Sequence, residues 1–309
     1  MTPNTSTAPL LDLRAPEAET RKALAAACAD WGFFQVTHHG ISGGLLQATL
    51  DVSRRFFARP LPDKQALSRT RDQPWGYYDR ELTKNLRDRK EIFDFGHTGP
   101  VPWPDADPEF RDVSREFSAA AHALGMEISA RIARAFGLPT EPVRRLGEQH
   151  GSFTRLNHYP LQDPLAHSDA PPPGPLGISR HTDAGVLTVL LQDAVSGLQM
   201  QREGTWIDVP PRPGTLTVNV GDMFQVWSND RIAAPVHRVL ASAAQERYSI
   251  AYFLNPGEES VIEPLLPAQG GEQARYEPIR WAEFRGQRAL GDYANYGEEV
   301  QISHYRREG

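Results

Sequence analysis

Between residues 181 and 249, pairs of turn-forming residues recur at short intervals and separate runs of β-branched and aliphatic residues. The pairs are Ser196-Gly197, Glu203-Gly204, Pro213-Gly214, Gly221-Asp222 and Asn229-Asp230. Strand-like runs punctuated by turns every 8 to 12 residues or so are typical of a β-sandwich or β-barrel. The 26 prolines and 25 glycines of the chain agree with a turn-rich β-core.

Three potential metal ligands lie on these runs. His181 and Asp183 are two positions apart, so on one extended strand their side chains project from the same face. We expect that strand to continue through residues 186–191. His237 begins another β-prone run. Two imidazoles and one carboxylate are the ligand set of non-haem Fe(II) oxygenases, and they leave positions open for a co-substrate and O2.

An arginine and a serine follow at a spacing that also places them on one strand face. Arg247 and Ser249 share this face with Ala251 and Phe253. A guanidinium binds a carboxylate through two parallel hydrogen bonds, and the serine hydroxyl can add a third. The pair therefore suits the remote carboxylate of a small dicarboxylate. Each motif alone is common by chance, whereas the complete ordered set on β-like runs is not.

With these motifs in place, the stretch resembles the catalytic core of the 2-oxoglutarate- and Fe(II)-dependent dioxygenases. The similar branch contains isopenicillin N synthase and the plant flavonoid and gibberellin oxidases. Asn157-His158-Tyr159-Pro160 resembles the family's Asn-x-Tyr-Pro motif, and residues 221–229 resemble its Gly-Asp turn and following strand. Near the start, residues 31–36 lead into His39-Gly40-Ile41 in the same manner. The resemblance covers roughly residues 8–300.

The resemblance implies an α+β fold with a double-stranded β-helix core of the jelly-roll or cupin type, flanked by N-terminal and C-terminal helices. We expect a single domain over residues 1–309. Within it, residues 1–150 form a helical and strand portion that packs on the core, residues 151–256 form the dioxygenase β-core, and residues 257–309 form a C-terminal segment with a helix.

The resemblance also implies a cofactor and a chemistry. Fe(II) is expected at His181, Asp183 and His237. The co-substrate 2-oxoglutarate is expected to chelate the metal and to place its other carboxylate at Arg247 and Ser249, with Tyr159 and Asn157 as further donors. With O2, such enzymes oxidise an unactivated C–H bond and release succinate and CO2. The outcome is hydroxylation, desaturation or cyclisation.

The substrate is expected to be a small organic molecule, which the sequence does not identify. Candidates for the substrate pocket are the aromatic residues Phe93, Phe95, Phe224, Trp227 and Phe253. Each is also compatible with a place in the core, and Phe253 is favoured because it shares a strand face with Arg247. The alternatives are an oxoacid-independent oxidase similar to isopenicillin N synthase and a non-catalytic cupin-like binding protein. A Zn(II) hydrolase is disfavoured, because a His-Glu-x-x-His motif is absent.

Hydrophobic periodicity predicts four helices, at residues 17–31, 44–57, 109–137 and 281–289. Ser42 is a candidate N-cap for the second. The third carries an apolar stripe and ends at Gly137, a C-terminal signal. Strands are predicted at residues 9–13, 33–37 and 151–159. The proline-rich run between Pro160 and His181 is predicted to be a loop.

Composition limits the partners. The net charge of −6 and the absence of a basic patch argue against nucleic acid. No apolar run approaches the length of a membrane span, and residues 1–8 lack the features of a signal peptide. The single cysteine, Cys28, excludes an internal disulfide. A reducing cytoplasm is the expected location, and it suits Fe(II). The sequence does not indicate an oligomeric state.

Overall fold

The computed structural model describes residues 7–148, 151–242, 244–265 and 273–308. The expectation about a signal peptide falls largely on residues 1–6, which lie outside the described residues. The helices are α1 Glu17–Asp30, α2 Gly43–Phe57, α3 Leu61–Gln65, α4 Pro108–Ala135, α5 Glu141–Leu146, α6 Asp222–Trp227 and α7 Trp281–Gly291, with a 3-10 helix at Ile302–Tyr305.

The strands are short, as the closely spaced turns predict. They are β1 Leu10–Asp12, β2 Phe33–Thr37, β3 Gly76–Tyr78, β4 Leu82–Thr83, β5 Leu86–Arg87, β6 Glu91–Gly96, β7 Phe153–Tyr159, β8 Leu176–His181, β9 Leu187–Gln192, β10 Leu198–Arg202, β11 Thr205–Asp208, β12 Leu216–Val220, β13 His237–Leu240, β14 Arg247–Leu254, β15 Val261–Ile262 and β16 Ile279–Arg280.

Two sheets form the β-core, and the jelly-roll α+β class is confirmed. The larger sheet has the strand order β1-β2-β12-β9-β14-β7-β6-β3, and the smaller has the order β11-β10-β13-β8. Pairing in both sheets is antiparallel except between β1 and β2. Most neighbouring strands are not consecutive in the sequence, so residues that are distant in sequence meet between the two sheets.

The predicted helices are confirmed as α1, α2, α4 and α7, within a few residues at each end. The Ser42 hydroxyl accepts a hydrogen bond from the Leu45 amide at 3.1 Å and caps α2 as expected. The predicted stripe of α4 is buried, and α4 packs against β9 and β14. Beyond α4, Gly137 has a φ of +68°, a left-handed conformation that glycine adopts without a steric cost.

Three local predictions were wrong. The proline-rich run is not a loop throughout, because β8 occupies its last six residues. His181 ends β8, and Asp183 lies beyond it rather than on a continuous strand. Residues 222–227 form the helix α6 instead of a strand, because amides at its start bind carbonyls of the loop between β8 and β9. The Asp222 amide donates to Asp183 O at 2.8 Å, and the Met223 amide donates to Gly185 O at 2.9 Å.

Candidate metal centre and active-site cavity

The two predicted histidine ligands meet through strand pairing in the smaller sheet. His181 is the last residue of β8 and His237 the first of β13, and their Cα atoms are register partners. Their ring centroids lie 4.2 Å apart. The Nδ1 atom of His181 donates to Ser179 O at 2.8 Å, and Nδ1 of His237 donates to Pro235 O at 3.1 Å. Because Nδ1 carries the proton in these bonds, the Nε2 atom of each ring is available to coordinate a metal ion.

Asp183 completes the group. Its Oδ1 atom lies 3.6 Å from Nε2 of His181 and 3.6 Å from Nε2 of His237. The three potential ligand atoms lie within 4.8 Å of one another, and no other such group occurs among the described residues. Two nitrogens and one carboxylate oxygen that converge on one point fit an Fe(II) site with open positions.

The carboxylate of Asp183 is held in a fixed orientation. Its Oδ2 atom accepts hydrogen bonds from Asn219 Nδ2 at 2.7 Å and from Thr188 Oγ1 at 2.5 Å, so Oδ1 is left to face the histidines. The backbone is fixed as well. Gly221 lies so close that a β-carbon there would come within 2.9 Å of Asp183 O. Arg288 Nη2 also donates to the neighbouring Thr182 O at 2.8 Å.

The protonation states suit metal binding. Burial and the neighbouring His237 lower the pKa of His181 to about 3, so its imidazole is neutral near pH 7. Burial alone would raise the pKa of Asp183. The opposing effect of the two histidines and of its hydrogen bonds outweighs burial, and the pKa of Asp183 is lowered. A neutral imidazole and an ionised carboxylate are the forms that coordinate a metal ion.

These three residues, His181, Asp183 and His237, form the triad, which opens into a cavity of about 390 Å³. Its floor is the inward face of β7 and β14, which pair in register. From one end to the other, the pairs are Tyr159 with Arg247, Asn157 with Ser249, Arg155 with Ala251 and Phe153 with Phe253. Alternation of side chains along each strand puts all eight residues on one face.

Arg247 lies at one end of this floor and is fully buried, with 1% of its surface exposed. Its guanidinium donates to Val195 O at 3.2 Å, to Gln192 Oε1 at 2.9 Å and to Ser249 Oγ at 3.4 Å. All these acceptors are uncharged, and no carboxylate of the described residues lies within ion-pair distance. A buried charge without an opposite charge is unfavourable, so this end of the cavity favours an anion.

Comparisons with known proteins agree with this geometry. The 2OG-Fe(II) oxygenase superfamily model matches residues 150–256, and the model for the N-terminal region of the non-haem dioxygenases in morphine synthesis matches residues 8–116. Gibberellin 2-beta-dioxygenase 5 of Oryza sativa subsp. japonica is 32% identical over 308 residues, which cover 96% of this chain and 87% of that protein. The chain belongs to the 2-oxoglutarate/Fe(II) oxygenase superfamily.

Other relatives of this oxygenase give the same result. Naringenin,2-oxoglutarate 3-dioxygenase of Callistephus chinensis is 32% identical over 86% of this chain and 76% of that protein. The crystal structure of JOX2 in complex with 2OG, Fe and JA matches with a TM-score of 0.84 and 27% sequence identity. The match covers 98% of this chain and 90% of the JOX2 chain. Neurospora crassa T7H with alpha-KG has a TM-score of 0.80 and 28% identity, and covers 94% and 98% respectively. The protein is an Fe(II)/2-oxoglutarate-dependent dioxygenase.

Two further residues of the oxygenase were predicted from the Asn-x-Tyr-Pro motif, and both line the cavity. The Tyr159 ring lies under the Arg247 guanidinium, 4.9 Å from its Cζ atom, and its hydroxyl has no hydrogen bond among the described residues. Asn157 Nδ2 donates to Ser249 O at 3.4 Å, and its buried Oδ1 has no partner there. Both side chains therefore keep polar atoms available to a ligand.

The aromatic candidates divide into two groups. Phe253 lines the cavity and stacks on Phe153, with ring centroids 4.8 Å apart. The other four do not reach it. Phe93 and Phe95 pack beside Trp103, and Phe224 and Trp227 belong to the same hydrophobic core. These four side chains do not line the cavity, because β6 directs the first two rings into the core and residues 222–227 are helical.

The sequence analysis missed several cavity residues of the oxygenase. Phe153 and Arg155 have the parity of Asn157 and Tyr159 on β7, so side-chain alternation could have identified them. Thr188 and Asn219 carry no motif, and they are recognisable only once β9 and β12 are paired. Arg285 and Arg288 lie on α7, a helix for which no functional role was predicted from the sequence.

Proposed function

We propose that His181, Asp183 and His237 bind Fe(II), and that Arg247 and Ser249 bind the remote carboxylate of 2-oxoglutarate. The observation that carries this proposal is the buried Arg247 guanidinium without a carboxylate partner, on the floor of the cavity into which the triad opens. A dicarboxylate that reaches from Arg247 towards the triad would supply the missing negative charge. Tyr159 and Asn157 lie beside this path and offer additional polar contacts.

When bound, Fe(II) with 2-oxoglutarate supplies the O2-dependent oxidation of a C–H bond. The protein's own residues bind, orient and exclude water. Thr188 and Asn219 hold Asp183 so that one oxygen faces the histidines. The Arg247 fork and the Tyr159 ring fix the orientation of the oxoacid at its far end. The buried strand face restricts water around the reacting groups, and this prevents unproductive turnover.

The proposed substrate is a small organic molecule of secondary metabolism, oxidised by hydroxylation, desaturation or cyclisation. The names of the relatives support a small organic substrate, since they include enzymes for gibberellin and naringenin and a structure with thymine. Their variety does not favour one compound. The acidic net charge argues against a nucleic-acid partner. None of the described helices is long and apolar enough to cross a membrane, and a cytoplasmic location is proposed.

Two measurements on the purified protein test the proposal. Anaerobic titration with Fe(II) should give one binding site per chain. With O2 and a turned-over substrate, succinate should form only when 2-oxoglutarate is added. Substrate oxidation without any oxoacid would contradict the role of Arg247 as an oxoacid ligand. Fe(II) binding that survives the loss of His181 or His237 would contradict the metal site.

A further inference from the structure

The cavity contains two cationic side chains that lack a carboxylate partner, and only one of them is explained above. Six cationic residues line it: Lys84, Lys90, Arg155, Arg247, Arg285 and Arg288. Four are paired with acids, which are Glu299 for Lys84, Glu81 for Lys90, Asp94 for Arg155 and Glu299 for Arg288. Among the described residues, Arg247 and Arg285 have no acid within ion-pair distance.

The two arginines lie over aromatic rings at opposite ends of one strand face. The Arg247 guanidinium lies over the Tyr159 ring at 4.9 Å, and the Arg285 guanidinium lies over the Phe153 ring at 5.7 Å. Tyr159 and Phe153 are the two ends of the inward face of β7. Six residue-to-residue steps along the strand separate them by about 20 Å. The cavity therefore has a guanidinium without a carboxylate partner at each end.

Asp183 lies closer to the Phe153 end than to the Arg247 end. It accepts a hydrogen bond from Thr188, whose register partner on β14 is Phe253. Phe253 is in turn the partner of Phe153. The oxoacid is assigned to the side of Arg247, so the space at Phe153, Phe253 and Arg285 is on the substrate side of the triad.

The guanidinium N–H groups of Arg285 have no hydrogen-bond acceptor among the described residues. Its side chain makes no hydrogen bond there, the residue is only partly exposed, and desolvation is the main reason that its pKa is lowered. The acid that most opposes this effect, Asp292, is itself 3.5 Å from Arg69. The nearby Asp94 is occupied by Arg69 and Arg155. A guanidinium that lines the cavity and has no acceptor among the described residues keeps its N–H donors available to an anionic ligand.

We propose that Arg285 binds a carboxylate of the substrate, and that the flat apolar body of the substrate lies on the stacked pair Phe153 and Phe253. This inference rests on the proposed function and specifies its substrate class as a monocarboxylic acid with a ring or other planar apolar part. One free guanidinium beside Asp292 matches a single negative charge better than a dianionic phosphate.

The test compares acids with uncharged analogues of the same shape. Phenylacetate, cinnamate and 2-naphthoate, each against its primary amide, are titrated into the anaerobic Fe(II)–2-oxoglutarate holoenzyme. At least one acid should bind at millimolar concentration and its amide should not. Arg285→Gln should weaken acid binding by about tenfold to a hundredfold, as expected for loss of charge-assisted hydrogen bonds, and Arg285→Lys should weaken it less.

A matched control is Arg280→Gln, at the start of the same helix, since Arg280 is exposed and does not line the cavity. It should leave acid binding unchanged. The proposal is overturned if every acid fails to bind, if acids and amides bind equally, or if Arg285→Gln binds acids like the wild type. Binding of 2-oxoglutarate, measured in the same variants, separates the two proposals. If the wild type does not bind 2-oxoglutarate, the proposed function is contradicted. If it binds 2-oxoglutarate but does not prefer acids over their amides, only the role of Arg285 is contradicted.

Discussion

The backbone of Gly177 lies against the ring of Tyr159, so that a β-carbon at position 177 would come within 2.7 Å of the ring atom Cδ1. Tyr159 in turn lies beneath the Arg247 guanidinium. A glycine on β8 therefore positions an arginine on β14 through the ring that lies between them. The oxoacid end of the cavity depends on contacts between the two sheets as well as on the residues that touch the ligand.

The substitution Gly177→Ala should consequently impair oxoacid binding. The added methyl group displaces the buried Tyr159 ring, and the KM for 2-oxoglutarate should rise about tenfold or more, because a shift of about 1 Å at a binding group is costly. Steady-state kinetics against oxoacid concentration measures this. Gly43→Ala is the control, since a β-carbon there meets nothing within 4 Å. An unchanged KM in Gly177→Ala would show that the ring does not set the guanidinium position.

Arg247→Lys keeps the charge but loses the planar fork, so the change is not conservative. Loss of one charge-assisted bond in a desolvated site should weaken 2-oxoglutarate binding by about 1.5–3 kcal/mol, or roughly tenfold to a hundredfold. The KM for the oxidised substrate should stay nearly constant. Kinetics in which each reactant is varied in turn decides the matter. A raised substrate KM with an unchanged oxoacid KM would assign Arg247 to the substrate instead.

The ligand assignment predicts loss of metal binding in His181→Ala, Asp183→Ala and His237→Ala. Asp183→Glu is the more discriminating change, because it keeps the carboxylate and moves it by about 1 Å, which can cost about a hundredfold in rate. Anaerobic calorimetry gives the Fe(II) affinity, and succinate formation gives the rate. Near-normal turnover by Asp183→Glu would mean that another group supplies the oxygen ligand.

Thr188→Val removes one of the two hydrogen bonds that orient Asp183 while nearly preserving side-chain volume. Groups of this kind typically contribute about tenfold to a hundredfold to metal affinity. We expect a decrease of that order in Fe(II) affinity, with an unchanged oxoacid KM at saturating metal. Thr154→Val is a suitable control, because Thr154 is also buried in the larger sheet but bonds to Ser118, away from the triad. Equal metal affinities in the two variants would contradict an orienting role for Thr188.

The support of the larger sheet by α4 predicts a stability effect that is separate from catalysis. Ile128 is fully buried where α4 packs on the sheet. Ile128→Ala removes three buried carbons and should lower the free energy of unfolding by about 2–5 kcal/mol. Chemical denaturation measures this change. The Fe(II) affinity of the folded variant should remain that of the wild type, and a change in both would indicate that α4 also shapes the site.

Side-chain alternation was the most reliable guide from the sequence. It placed Arg247, Ser249 and Phe253 on one face of β14 and grouped Asn157 with Tyr159, and the structure has both arrangements. Alternation succeeds there because β7 and β14 are regular and paired along their whole length. Alternation also grouped His181 with Asp183, but the reason was wrong, because β8 ends at His181 and Asp183 lies beyond it. The position of Asp183 is instead fixed by a backbone hydrogen bond from α6, in which the Asp222 amide donates to Asp183 O.

The failures share a physical cause, which is that the deciding contacts are remote in sequence. Residues 222–227 have the composition of a strand, but amides at their start bind the loop that carries Asp183, and a helix results. Hydrophobicity alone could not separate Phe253, which faces the cavity, from Phe93, which faces the core. Arg285 is one of many arginines in the sequence. It is distinguished by its place on the cavity wall without an acidic partner among the described residues, and only the folded chain reveals this.

The sheet order has a consequence for dissecting this enzyme. The strands β12, β9, β14 and β7 come from residues 151–256, and they are enclosed on both sides by strands from residues 10–96, with β2 beside β12 and β6 beside β7. A fragment reduced to residues 151–256 would retain the triad and Arg247 but would expose two long unpaired sheet edges. Such edges template intermolecular pairing, so we expect this fragment to aggregate. A transplant of the site into another scaffold would have to protect both edges by other strands.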